Sequence, residues 1–155
     1  KPRLYLETSV WNFFFAEDAP EKRESTIEFF KEVEQGKYEV FISDVVIREI
    51  GRTEETERSK LLLLLKKHDP NVTLHCYYKA IFAEKLVTQD VIPERFRDDA
   101  LHISYAVVNE LDILASWNMR HIVKLKTKVM VNALAEMEGF KRIVICTPEE
   151  VIGYG

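Results

Sequence analysis

Cysteine is scarce. Cys76 and Cys146 are the only two, they lie far apart, and no C-x-x-C pair occurs, so neither a disulfide framework nor a zinc knuckle is indicated. Glycine and proline are also few, five of each, which excludes a collagen-like or disordered chain. Long apolar runs are missing: Leu61 to Leu65 falls far short of the roughly 20 residues that span a bilayer. No basic-then-apolar leader is read at the start, and with the sparse cysteines this gives a reducing, cytoplasmic setting as the expectation. Positive charge is not in excess either. Twenty-two Lys+Arg against 26 Asp+Glu leave a net charge of −4, which argues against a surface wholly devoted to gripping nucleic acid. A local basic patch stays compatible with that balance, as does a cluster of carboxylates around a cation.

What is present is an ordinary globular composition, 46% hydrophobic and 31% charged over 155 residues, the size of one domain spanning 1–155. Short apolar runs alternate with helical patterns. Leu4-Tyr5-Leu6 reads as a strand that stops at Glu7-Thr8-Ser9. Thr26 to Val33 has helical spacing with Gly36 as its stop. Glu39 to Ile42 reads as a buried strand, ended by Ser43-Asp44, which can cap a helix carrying Val45, Val46, Ile47 and Ile50. Thr53 to Lys67 predicts an amphipathic helix broken at Asp69-Pro70-Asn71. Further helices are predicted over Tyr78–Thr88, Asp98–Asn109 and Thr127–Glu138. Strands are predicted over Asp112–Trp117 and Arg142–Cys146, and Thr147-Pro148-Glu149-Glu150 is a capping box with proline at the first helical position. Alternation of this kind predicts a three-layer α/β/α sandwich around a mostly parallel sheet.

In such sheets ligands bind beyond the carboxyl ends of the strands. Glu7, Ser43-Asp44 and Ser116-Trp117-Asn118 gather at that edge. Glu7, Glu49, Asp99 and Asn118 form the candidate cluster: two at strand ends, one on the apolar helix after the second strand, one opening an apolar helix. Carboxylates in apolar company are costly without a cation or hydrogen-bond donors. Three carboxylates and an amide supply hard oxygen ligands suited to Mg²⁺ or Mn²⁺ rather than zinc. Each residue also has a plainer reading. Asp99 can cap its helix, Glu49 can face solvent beside Arg48 and Arg52, and Asn118 can be a turn residue. Glu7 is the hardest to explain by packing.

Around the cluster, Thr8 and Ser9 are placed to hydrogen-bond Glu7, a metal-bound water or the scissile phosphate, or else to cap a helix. His121 is a supporting candidate for phosphate contact or proton donation. His102, three residues after Asp99 and four after Asp98, is read as making a local carboxylate contact on its own helix. His68 and His75 show no metal-ligand spacing. Arg120, Lys124, Lys126 and Lys128 form a basic stretch, either a solvated face or a phosphate track that Arg48 and Arg52 extend. Trp11, Phe13, Phe14 and Phe15 divide between core and an interaction surface.

Taken together, Tyr5-Leu-Glu-Thr-Ser9, Phe41-Ile-Ser-Asp with Arg48-Glu49-Ile50, Asp99-Ala-Leu-His-Ile103, Leu114-Ala-Ser-Trp-Asn118 with His121, and Thr147-Pro-Glu-Glu150 resemble the successive motifs of PIN domains. The set covers nearly the whole chain in order and is most similar to the branch holding the toxin ribonucleases of VapC type. The resemblance implies a parallel-sheet sandwich and a Mg²⁺- or Mn²⁺-dependent ribonuclease leaving 5′-phosphate and 3′-hydroxyl ends. It also implies an RNA substrate, an antitoxin partner and a homodimer. It makes Glu7, Glu49, Asp99 and Asn118 the four catalytic and metal positions. Two of these depart from the common pattern: Glu7 stands where Asp is usual, and Asn118 offers a neutral oxygen where Asp is common. The second departure sustains an alternative, a catalytically weakened PIN fold that binds RNA or protein. A receiver-like signalling domain would need a phosphorylatable Asp and a later Lys at strand ends, and the strand at Trp117-Asn118 offers neither.

Overall fold

The computed structural model describes residues 1–73 and 76–155. His75, read above as lacking metal-ligand spacing, lies outside them. In chain order the elements are β1 (Arg3–Leu6), α1 (Thr8–Phe13), α2 (Pro20–Glu34), β2 (Glu39–Ser43), α3 (Asp44–Gly51), α4 (Glu55–His68) and β3 (Asn71–Thr73). They continue with α5 (Tyr77–Thr88), a short 3-10 turn (Glu94–Phe96), α6 (Arg97–Val108), β4 (Ile113–Ala115), α7 (Leu125–Met137), β5 (Val144–Cys146) and α8 (Pro148–Val151). The five strands form one sheet in the order β3-β2-β1-β4-β5, with every pairing parallel.

That order decides the layers. The chain steps one way from β1 to β3, then crosses back to β4 and continues to β5. The right-handed sense that parallel crossovers take puts α1–α4 over one face and α5–α7 over the other. Most contacts follow this division: α1 packs on α2 and α4, α3 on α4, and α5 runs along α6, while α3 also meets α6 from the other layer. Leu4, Tyr5 and Leu6 are wholly buried, as expected for a central strand covered on both faces. Side chains alternate along a strand, so Tyr5 points to the opposite face from Leu4 and Leu6. The register pairs Tyr5 with Phe41, which sets Ser43, two residues on, on the same face.

Local sequence signals account for most boundaries. Ser43 caps α3 by accepting the Val45 N–H at 3.2 Å, and Thr147 with Glu150 closes the capping box of α8. Gly36, just beyond α2, has φ +74°, a conformation glycine adopts without strain. Two elements go beyond the sequence expectation. The six-residue α1 starts right after β1 and is capped by Glu7 itself, and Asn71–Thr73 forms an edge strand, which makes the strand at Ile113 the fourth. Of the leucine run, Leu61 and Leu64 are buried while Leu62 and Leu63 face outward. Of Trp11, Phe13, Phe14 and Phe15, Trp11 is wholly buried; Phe14 and Phe15 lean on the core, and Phe13 lies against Trp117. Among the described residues no helix is long and apolar enough to cross a membrane.

Candidate functional site

The strand order reverses between β1 and β4, and the crevice at such a switch point is where open α/β sheets hold ligands. Glu7 leaves β1 at one lip and Ser116-Trp117-Asn118 leave β4 at the other. Glu7 is only 5% exposed, yet its carboxylate is well supplied with donors. Oε1 accepts from Ser9 Oγ at 2.6 Å and from Ser116 Oγ at 2.5 Å, and Oε2 accepts the Ser9 N–H at 3.1 Å. Each serine oxygen in turn takes a backbone N–H from the β4 extension, Trp117 N on Ser9 at 2.8 Å and Asn118 N on Ser116 at 2.9 Å. The two hydroxyls thus fasten Glu7 to both lips.

Glu49 reaches the same place from α3. Its Oε1 accepts from Thr8 Oγ1 at 2.7 Å and from His102 Nε2 at 2.5 Å. Ligand-capable atoms of Glu7, Glu49 and His102 lie within 4.8 Å of one another. Burial alone would raise the Glu49 pKa. The His102 bond and charge, the Thr8 hydroxyl and Arg48 outweigh it and hold this carboxylate below its usual range. For His102 burial opposes the charged ring, but the Glu49 bond and the charges of Glu7, Glu49 and Asp99 raise its pKa on balance.

Asp99 is in the first turn of α6, not at its cap, which is Phe96. Burial, and then the charge of Glu7, push its carboxyl up to about 6; His102 and the bond from Asn118 pull the other way. A carboxylate so disfavoured by its neighbours is one that a divalent cation would relieve. Asn118 donates its Nδ2 to Asp99 Oδ2 at 3.2 Å, while its Oδ1 accepts the His121 N–H at 2.9 Å. A backbone N–H can be accepted only by the oxygen, so the amide orientation is fixed by chemistry. In this structure Asn118 is a donor to Asp99, and its oxygen holds one N–H with a second lone pair remaining.

Further expectations change. His102 makes its carboxylate bond across the fold to Glu49, not along its own helix; Asp98 is instead engaged by Arg48 at 2.6 Å and Arg52 at 3.6 Å. Arg48 is thereby held by a carboxylate rather than offered freely to phosphate. The basic stretch is also divided. Arg120 and Lys124 lie close enough to His121 to lower its pKa, after burial and together with Arg95, and the His121 ring lies 4.2 Å from that of Phe96. Lys126 donates to the Asp90 carbonyl at 3.1 Å, and Lys128 sits beside Asn132, Ile143 and Cys146 near β5. Thr8 bonds to Glu49 rather than to Glu7.

The donor set of Glu7, Glu49 and Asp99 is hard and anionic, with His102 and Arg48 as charge partners. Such a set fits Mg²⁺ or Mn²⁺. No family model matches the sequence, and no curated protein matches it. Among solved structures, a chain in the crystal structure of VapBC2 from Rickettsia felis bound to a DNA fragment from their promoter matches with a TM-score of 0.59 and 14% identity. The match covers 92% of this chain and 96% of that one. At that identity the likeness is one of fold, a PIN-like α/β architecture around a parallel five-stranded sheet.

Proposed function

We propose that this protein is a divalent-cation-dependent ribonuclease of PIN type that hydrolyses phosphodiester bonds in RNA. The observation that carries this reading is the convergence of Glu7, Glu49 and Asp99 at the switch-point crevice, from three distant parts of the chain: ligand atoms of Glu7 and Glu49 lie within 4.8 Å, and the charges of both raise the Asp99 pKa. Glu7 and Asp99 would hold the primary Mg²⁺ or Mn²⁺, and Glu49 a second ion or the attacking water. A divalent ion bound there lowers the pKa of water and neutralises charge on phosphoryl oxygens. The chain's own groups do the rest. Ser9 and Ser116 keep Glu7 rigid, Asn118 orients Asp99, and Arg120 and Lys124 attract the phosphate backbone at the crevice mouth.

The same proposal covers biological setting. The structural neighbour is a VapBC2 assembly on promoter DNA; by analogy this chain would be the toxin of a toxin–antitoxin pair, a homodimer of a single-domain chain working in the cytoplasm. The deciding experiment is cleavage of single-stranded RNA in Mn²⁺ by the wild type and by Asp99→Asn. Loss of at least about a hundredfold is expected, since a bound cation contributes several kcal/mol. Undiminished cleavage by a folded Asp99→Asn protein refutes the assignment.

A second reading is favoured by one observation, the Asn118 oxygen turned to His121. In it the fold binds RNA without cutting. Calorimetric titration with Mn²⁺ separates the two, because a silent site shows no saturable binding at millimolar ion.

A further inference from the structure

Glu49 has more behind it than a solvent-side carboxylate requires. Beyond the His102 bond, His102 Nδ1 lies 2.7 Å from the Tyr5 hydroxyl, and that hydroxyl lies 2.7 Å from Ser43 Oγ. Ser43 Oγ accepts the Val45 N–H at 3.2 Å. Tyr5, Ser43 and His102 are all wholly buried. One direction of donation leaves none of these groups unmatched: Val45 N–H to Ser43, Ser43 O–H to Tyr5, Tyr5 O–H to His102 Nδ1, and His102 Nε2–H to Glu49. Glu49 as a carboxylate only accepts, so Nε2 carries a proton whatever the charge of the ring. A protonated Nε2 has no lone pair for a metal, and Nδ1 is taken by Tyr5. Aliphatic residues would fill the same space without the desolvation cost of three polar groups. The polar chain ends on one atom, Glu49 Oε1.

Resting on the cation-site reading above, we propose that Ser43, Tyr5 and His102 are a brace that positions Glu49, holding Oε1 against the protein and leaving Oε2 as its oxygen for the cation. His102 is then a positioning residue and not a ligand, and the cation is held by oxygen alone. This inverts the common arrangement in which a carboxylate orients a metal-bound histidine.

The test is Mn²⁺ binding by calorimetry, joined to pulsed electron paramagnetic resonance of the Mn²⁺-loaded wild type. The variants are Tyr5→Phe, His102→Leu and His102→Gln, each checked for fold by circular dichroism. Tyr5→Phe and His102→Leu are expected to bind Mn²⁺ about tenfold more weakly, the usual effect of losing an outer partner. His102→Gln retains an N–H donor and is expected to recover most of that loss, which a purely structural role would not produce. The spectrum is expected to show no directly bound nitrogen. Unchanged affinity in Tyr5→Phe and His102→Leu, or the coupling of a ligated imidazole, overturns the brace while leaving the nuclease reading intact. Should His102→Leu not fold, Tyr5→Phe decides, because it removes a single oxygen. A wild type that binds no Mn²⁺ overturns the cation site and the brace together.

Discussion

Asn118 faces Asp99 with its amide nitrogen, 3.2 Å from Oδ2, because the His121 backbone N–H already occupies its oxygen. A carboxylate in that position would meet Asp99 with like charge. The amide instead donates to the one carboxyl in the cluster that burial and Glu7 disfavour most visibly. A neutral residue here eases the metal-free site and removes a formal charge from the metal-bound one.

Asn118→Asp should therefore shift the balance both ways. The metal-free protein is expected to lose about 1 kcal/mol, some 2–4 °C in melting temperature for a chain of this length. Mn²⁺ should bind more tightly and raise the melting temperature by more than it does in the wild type. Thermal scans with and without millimolar Mn²⁺ read both effects; a variant whose Mn²⁺ response is smaller than the wild type's contradicts the electrostatic account.

Asp99 predicts a pH dependence of stability. Its carboxyl titrates at about 6 in the folded chain against 3.8 in isolation, so between those values the folded state holds more protons than the unfolded one. Stability then falls as pH rises from about 4 to about 6, by on the order of 3 kcal/mol, and is flat beyond. Asp99→Asn should lack this decline and be the more stable protein near neutrality. Urea denaturation of both proteins across that range measures the difference, and parallel curves would be inconsistent with it.

Ser116→Ala removes a 2.5 Å donor from the buried Glu7 carboxylate. A cost of about 1–3 kcal/mol is expected, because the carboxylate stays buried with one partner fewer. Repeating the change in a Glu7→Gln background should shrink that cost by at least about 0.5 kcal/mol, the sign of direct coupling. Additive losses in the cycle would show that the serine acts elsewhere.

The divided basic stretch predicts unequal effects on RNA affinity. Arg120→Ala and Lys124→Ala should each weaken binding and lower the slope of log affinity against log salt by about 0.7, the single-strand value for one phosphate contact. Lys126→Ala and Lys128→Ala should leave the slope alone, since one side chain is tied to the Asp90 carbonyl and the other lies beside β5. Fluorescence anisotropy over a salt series distinguishes the four; equal slopes in all of them would favour a diffuse surface.

Local chemistry was legible wherever a pattern repeats over neighbouring residues. The apolar run at Leu4, the serine cap before Val45 and the Thr147–Glu150 box all appear where their sequences point. α1 escaped because six aromatic-rich residues carry no helical period and its cap is a glutamate. β3 escaped because only Thr73 of its three residues is buried, so no apolar signal marks it. For His102, spacing along the helix favoured Asp98 and Asp99, neighbours three or four residues away.

The sequence by itself determined the alternation of strands and helices and set carboxylates where strands end, because hydrophobic period and capping act over a few residues. Only the tertiary structure decided which of those groups meet. Strand order brings β1 beside β4, and the packing of α3 on α6 carries Glu49 to a histidine 53 residues away. Orientation was decided there too: a backbone N–H at His121 turned the Asn118 amide, and a buried tyrosine turned the His102 ring. Such choices depend on which donors and acceptors are left unmatched once water is excluded, and that is a property of the folded interior rather than of any short stretch of chain.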